Sequence, residues 1–360
     1  MERPKRFRRL FATPILLLLA VLATAESVYC RDAQDSVCVN VGMDPGMDQT
    51  CRGGTAPGAT PIPPPNPPPA TATFYMDTVD PTTLYNLGCM KGSVPENGLT
   101  ILDFGSPLNS GGVLGTLLFD HNGTFAPIGD IETGVAALLR GHWDCGSNPL
   151  AALRVGVGTS NYCHAGDCAQ VSMQHGSAWA DMIDRLDQYV HAFGWDSRLS
   201  IAGAIDIEPS WSPVDSAASW AAGYAANTAR PYYNYGAADG CSEIDWSDSP
   251  CNNGWYQHDL WWVSWGVPNA YAVPEIYLEQ GATAAQWQRI SLYAASYEFG
   301  PIVFSGVLTQ RGACNQKGCP PGVNNSPADG WRQLLYAVNS DPATAQPVLS
   351  WSTDISWLGE

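Results

Sequence analysis

The chain has 360 residues, 45% hydrophobic and 14% charged, with 34 acidic against 17 basic residues and a net charge of −17 at pH 7. That length and apolar content supply a sizeable core. The acidic excess repels nucleic acid and anionic lipid, which removes both as partners and leaves a neutral or cationic ligand.

The first element is a leader. Five Lys and Arg precede an apolar run from Ile15 to Leu22, and Ala23-Thr24-Ala25 follows. A basic start, a short apolar centre and a small-x-small end predict a secretory signal peptide over residues 1–25. The run is short for a membrane span, so the mature protein is expected to be secreted or held at the cell surface, with no membrane partner after cleavage. Cleavage removes five basic residues and one acidic one, leaving 12 and 33, a net charge of about −21. All eleven cysteines lie beyond this point, and export makes disulfides the default. Cys163/Cys168, Cys241/Cys251 and Cys314/Cys319 are spaced as loop staples. Cys30, Cys38, Cys51, Cys89 and Cys145 supply up to two more pairs. No CxxC and no HExxH occurs, so neither a metal nor another cofactor is expected.

Residues 26–55 form a polar, Gly-rich, Cys-containing segment without helical or strand period. Residues 56–73, "APGATPIPPPNPPPATAT", are a proline-rich linker that favours an extended, semi-rigid conformation. From 74 to 360 the composition is that of one globular domain. Strands are predicted at 98–107, 150–162, 199–208, 230–240, 260–265, 270–277, 301–310 and 346–357. Between them helices are predicted at 130–143, 177–195, 213–229, 283–299 and 327–340. The second of these carries Trp179, Ile183, Leu186 and Val190 on one face. Apolar strands alternating with amphipathic helices specify a parallel sheet covered by helices. Eight strand segments fit an α/β fold of the (β/α)8 TIM-barrel type with disulfide-stapled loops. A doubly wound open sheet is the rival, but no GxGxxG or GxxxxGK[ST] follows any strand.

In such barrels functional groups gather at the C-terminal strand ends. There "IAGAIDIEP" ends in Asp206 and Glu208. Residues two apart on a strand share a face, so both carboxylates enter one polar mouth. Two neighbouring anions resist joint ionisation, which leaves a protonated acid near neutral pH. Glycosidic cleavage needs such an acid opposite a second carboxylate. Glu208, longer and nearer the open end, is the candidate acid and Asp206 its tuning neighbour. Asp103 and Glu275 are candidates for the second carboxylate. Fourteen Trp and fifteen Tyr supply faces for stacking on sugar rings. Trp211, Tyr235, Asn234, Trp262, Trp265, Tyr277 and Gln310 are candidate substrate-binding residues.

"ILDFGSP", "AIDIEP", "YNYG" and "LWWVSWG" follow one another in an order that resembles the barrels of family 25 glycoside hydrolases, the lysozyme-like muramidases, and related secreted bacterial domains. In those enzymes an Asp ends the first strand, and the Glu of a D-x-E ending a middle strand is the catalytic acid. The resemblance implies those roles for Asp103, Asp206 and Glu208. The first strand departs from the family's G-[IV]-D-[VI]-S. The expectation is therefore a monomeric exported glycosidase acting on a polysaccharide or peptidoglycan glycan. The alternatives are an inactive barrel that binds carbohydrate at the cell surface, or a structural exported protein.

Overall fold

A computed structural model describes residues 65–358 except 95, 96, 121, 147, 149 and 150. The expected signal peptide, the 26–55 segment with Cys30, Cys38 and Cys51, and the first half of the proline-rich linker lie outside the described residues.

The first strand, β1 (Thr71–Tyr75), starts inside the stretch read as linker. No apolar run announces it. Its buried Thr71 and Thr73 are instead satisfied by hydrogen bonds, Thr73 Oγ1 lying 2.6 Å from Thr353 Oγ1. Helix α1 (Pro81–Ser93) follows, with Asp80 accepting from the Thr83 amide at 2.8 Å and proline in its first turn. Next come β2 (Gly98–Asp103) and a three-stranded antiparallel sheet, β3 (Ser106–Ser110), β4 (Val113–Leu117) and β5 (Phe125–Pro127). Helix α2 (Ile128–Cys145) leads to β6 (Leu153–Ser160), α3 (Met173–Ala192), β7 (Leu199–Asp206), α4 (Val214–Asn227) and β8 (Tyr232–Asn234). Helix α5 (Gln257–Trp261), continued by a π-helical turn over Trp262–Gly266, precedes β9 (Ala270–Ala272) and α6 (Ala282–Tyr297). The chain ends with β10 (Gly306–Thr309), α7 (Arg311–Lys317), α8 (Pro327–Val338) and β11 (Trp351–Trp357).

Eight strands run parallel in the order β10-β11-β1-β2-β6-β7-β8-β9. The ring closes between its two ends. Glu275 pairs with Leu308, the Leu308 amide donates to Pro274 O and the Ile276 amide to Leu308 O, both at 2.9 Å. This is the expected (β/α)8 barrel, with helices outside. The count of eight conceals two errors. Residues 260–265 are helical, and β1 takes the vacated place. In "LWWVSWGV" Leu260, Trp261, Val263, Ser264 and Val267 are buried, a 3.6-residue period rather than alternation. The Asp259 carboxylate caps the helix from the Tyr256 amide at 2.9 Å. Strand β2, which carries Asp103, is thus the second of the barrel and not the first.

Two apolar clusters divide the core. The outer one fills the space between ring and helices and takes Trp179, Trp220, Trp255, Trp287 and Trp331. The inner one is Leu99, Ile101, Ala202, Ala204, Tyr233, Tyr235, Val273, Leu308 and Ile355. Near the strands' N-terminal ends Arg154 donates to Tyr233 Oη at 2.8 Å and Ser200 Oγ at 3.0 Å, and lies over Trp351. The barrel is plugged at that end and open to chemistry only at the other.

The expected pairs Cys163–Cys168, Cys241–Cys251 and Cys314–Cys319 form, and Cys89 joins Cys145. The first three staple the loops after β6, β8 and β10, at the C-terminal ends of the strands. The fourth ties α1 to α2, which cross so closely that a Cβ on Gly88 would lie 2.0 Å from Leu138 O. Among the described residues no helix is long and apolar enough to cross a membrane.

Candidate active site

The inner cluster fixes which way each strand end points. Leu99 and Ile101 face inward, so Asp103 does too. Ala202 and Ala204 bring in Asp206 and then Glu208, Val273 brings in Glu275 and Tyr277, and Leu308 brings in Gln310. These residues line a cleft of about 580 Å³ at the C-terminal mouth, with Tyr75, Ser160, Tyr162, Trp211 and Trp357. Leu117, Leu118, Phe119 and Gly123, from the antiparallel insertion and its turn, wall one side.

The carboxylates are close. One oxygen from each of Asp206, Glu208 and Glu275 lies within 4.8 Å of one from each of the others. Asp103 and Asp206 are 0% and 3% exposed. Asp103 accepts from the Gly105 amide at 2.9 Å through Oδ1. Its Oδ2, like Asp206 Oδ1, has no hydrogen-bond partner among the described residues. Among the described residues no Lys or Arg lines the cleft; Lys317 lies over the face of Trp357, 3.6 Å from its centroid.

Burial without a counter-charge pushes every one of these acids up. Asp103 rises to about 7, chiefly by desolvation, with Gly105 and Tyr235 pulling the other way. Desolvation raises Glu275 to about 8, with the Tyr277 hydroxyl opposing and Asp239 and Asp103 adding to the rise. Glu208 reaches about 10 through desolvation, then the charges of Glu275 and Asp239. Asp206 is driven well above the carboxylate range by desolvation, then Glu275 and Glu208. The cluster therefore holds protons at neutral pH, and within the facing pair Glu275 ionises before Glu208.

The Glu208 backbone is pinned. Asn161, fully buried, accepts from the Glu208 amide at 3.0 Å and donates to Glu208 O and Ser212 Oγ at 2.9 Å. Tyr235 crosses the barrel interior to donate to Thr159 O at 3.1 Å, in the space left by Gly158.

Of the residues singled out in the sequence, Asp103, Asp206, Glu208, Glu275, Trp211, Tyr277 and Gln310 meet in this cleft. Four do not line it. Asn234 points out of the barrel: it accepts from the Ile207 and Gly236 amides and donates to Ser264 Oγ at 2.7 Å, so it fastens strand ends to the helix layer. Tyr235 lies fully buried beneath the floor. Trp262 and Trp265 sit on the π-helical turn, packed against the outer cluster, because their segment is not a strand. Conversely, Tyr75, Phe119, His164 and Trp357 were not foreseen. Tyr75 and Trp357 pack in a tilted pair, centroids 4.5 Å apart, and their strands' two-residue period alone placed them.

The carboxylate trio offers only oxygen donors, the set a hard cation such as Ca²⁺ or Mg²⁺ takes; Asp206, Glu208 and Glu275 would be its ligands.

Fold and site together define an α/β barrel with an acidic, aromatic-walled cleft at its C-terminal mouth. No protein-family model matches the chain, and no curated protein does. Among solved structures it is similar to a Bacteroides fragilis protein assigned as an alpha-galactosidase/melibiase, at 9% identity and a TM-score of 0.29, over 78% of this chain and 62% of that one. It is also similar to a modular endo-beta-1,4-mannanase of glycoside hydrolase family 26 from Cellulomonas fimi, at 12% identity and a TM-score of 0.26, over 80% of this chain and 70% of that one. The chain thus spans less than two thirds of the first neighbour's length. No family 25 enzyme stands among these two, and Asp103 on the second strand departs from that family's arrangement.

Proposed function

We propose that this chain is an exported glycoside hydrolase that cleaves a polysaccharide or cell-wall glycan, with Glu208 as general acid and Glu275 as the facing carboxylate. One observation carries the reading: two carboxylates from different strands face each other within 4.8 Å across an aromatic-walled cleft. Groups about 5–5.5 Å apart suit a retaining displacement, whereas an inverting one needs about 6.5–9.5 Å to admit water. Glu208 gives its proton to the glycosidic oxygen as the C1–O bond breaks, and ionised Glu275 bonds to C1. Glu208 then takes a proton from the water that cleaves the glycosyl ester. Desolvation, then the charges of Glu275 and Asp239, keeps Glu208 protonated. Four disulfides accord with export to an oxidising compartment.

The test is Glu208→Gln on a panel of glycans, peptidoglycan included. Its kcat should fall by about 10²–10⁴-fold, the share of a general acid, with the melting temperature within a few degrees of the parent. A parent that cleaves nothing yet binds a glycan would reduce the protein to a carbohydrate-binding barrel. Neither cleavage nor binding would leave a structural role.

A further inference from the structure

The chemistry above uses two carboxylates, yet four line the cleft. Asp103 and Asp206 remain, each buried and each with one oxygen that meets no donor. A buried acceptor left unmatched is costly, and more so when charged. Both residues stand in the cleft wall, and among the described residues no Lys or Arg of that wall offers them a counter-charge. Among the described residues the other polar lining is sparse: one amide side chain, Gln310, one imidazole, His164, and the Ser and Tyr hydroxyls.

We propose that the cleft takes a glycan bearing free amino groups, a polymer of 2-amino-2-deoxyhexose, and that Asp103 and Asp206 receive its ammonium. The inference rests on the hydrolase reading and names its substrate class. An ammonium brings three donors and a positive charge, and its hydrogen bonds to carboxylates are charge-assisted. It would supply donors to these two carboxyl groups. It would also supply the positive charge absent from the lining. An N-acetyl group would instead bring a neutral amide, with no charge to draw the protons off these acids. The sugar ring would lie against Trp211, Tyr75 and Trp357. The net charge of −17 draws a polycation toward the mouth over a range set by salt.

The experiment compares matched glucosamine and galactosamine oligomers, α- and β-1,4-linked, fully deacetylated or fully N-acetylated, with neutral hexose oligomers. Hydrolysis is read on the parent and binding by calorimetry on Glu208→Gln. The deacetylated series should exceed the N-acetylated one by about 100-fold in kcat/KM or in affinity, about two charge-assisted hydrogen bonds' worth. Raising the salt should narrow that gap, and Asp103→Asn should narrow it by about tenfold, one such bond. Equal or better cleavage of N-acetylated or neutral oligomers would overturn the inference and leave the hydrolase standing. If nothing is cleaved, the hydrolase reading fails, and the calorimetric preference alone decides this one. Ca²⁺ or Mn²⁺ held more tightly than the amino-sugar oligomer would hand these oxygens to a metal and overturn it.

Discussion

Glu208 and Glu275 show how one barrel makes two different acids from the same functional group. Both are desolvated and both face Asp239, but Glu208 also faces the charge of Glu275, while the Tyr277 hydroxyl opposes the rise at Glu275. On a neutral glycoside, kcat/KM should therefore rise as the pair loses its first proton near pH 8 and fall as it loses its second near pH 10, the two limbs belonging to the pair. A profile that peaks near pH 5 would show that both acids titrate in the ordinary carboxylate range and would overturn the raised values. The short separation sharpens a second expectation. Glu275→Ala should lose turnover by about 10³-fold or more, and azide should restore part of it by attacking C1 in place of the missing carboxylate. Proton NMR of the first product should show retained anomeric configuration in the parent; inversion would sink the nucleophile role.

At the scale of elements, the site is a product of the two-residue period of eight strands and of loops that disulfides hold over them. Gly158 on β6 is where two inward side chains would compete. A Cβ there would lie 2.7 Å from Tyr235 Oη and 3.1 Å from Ile101 Cγ2. Gly158→Ala should cost about 1–3 kcal/mol by overpacking and lower kcat/KM by displacing the tyrosine beneath Asp103. Unchanged melting and turnover would mean that the interior yields more easily than it is packed. The disulfides differ by the chain they close. Cys89–Cys145 spans 56 residues and Cys163–Cys168 only 5. By loop-closure entropy, losing the first should cost about 4 kcal/mol and the second about 2. Double Cys→Ser variants unfolded in urea would rank them; the reverse order would place the stabilisation in local packing.

For the whole molecule, the buried acids bind stability to pH. Asp103, Glu275, Glu208 and Asp206 all hold their protons more tightly folded than unfolded. Their contribution is complete below the ordinary carboxylate range near pH 4 and is lost as pH rises through about 7 and then about 8. Buried His142 and His175, lowered to about 4, act oppositely, but only below the ordinary imidazole value near 6.5. The melting temperature should thus fall steadily between about pH 6.5 and 8, and Asp103→Asn should flatten that slope. A midpoint that climbs over this interval would show that the carboxylates are ionised in the folded state. Stability and turnover then favour opposite ends of the pH scale, as expected where charge is buried for chemistry.

The alternation of apolar strands and amphipathic helices made the barrel legible, and the D-x-E spacing, the strand end carrying Glu275 and Tyr277 and the close cysteine pairs made half the mouth legible with it. These are local periods, and a chain carries its local periods wherever it folds. What lay beyond them was settled by contacts distant in sequence. β1 exists because its threonines find β11 some 280 residues away. "LWWVSW" is helical because β8 offers Asn234 and Tyr232 to its side, and a tryptophan's preference for strands yields to that. Asp103, Asp206, Glu208 and Glu275 come from three strands, and only ring closure brings them within reach. Their raised pKa values follow from that convergence, since proximity and desolvation belong to the tertiary structure and to no segment of it.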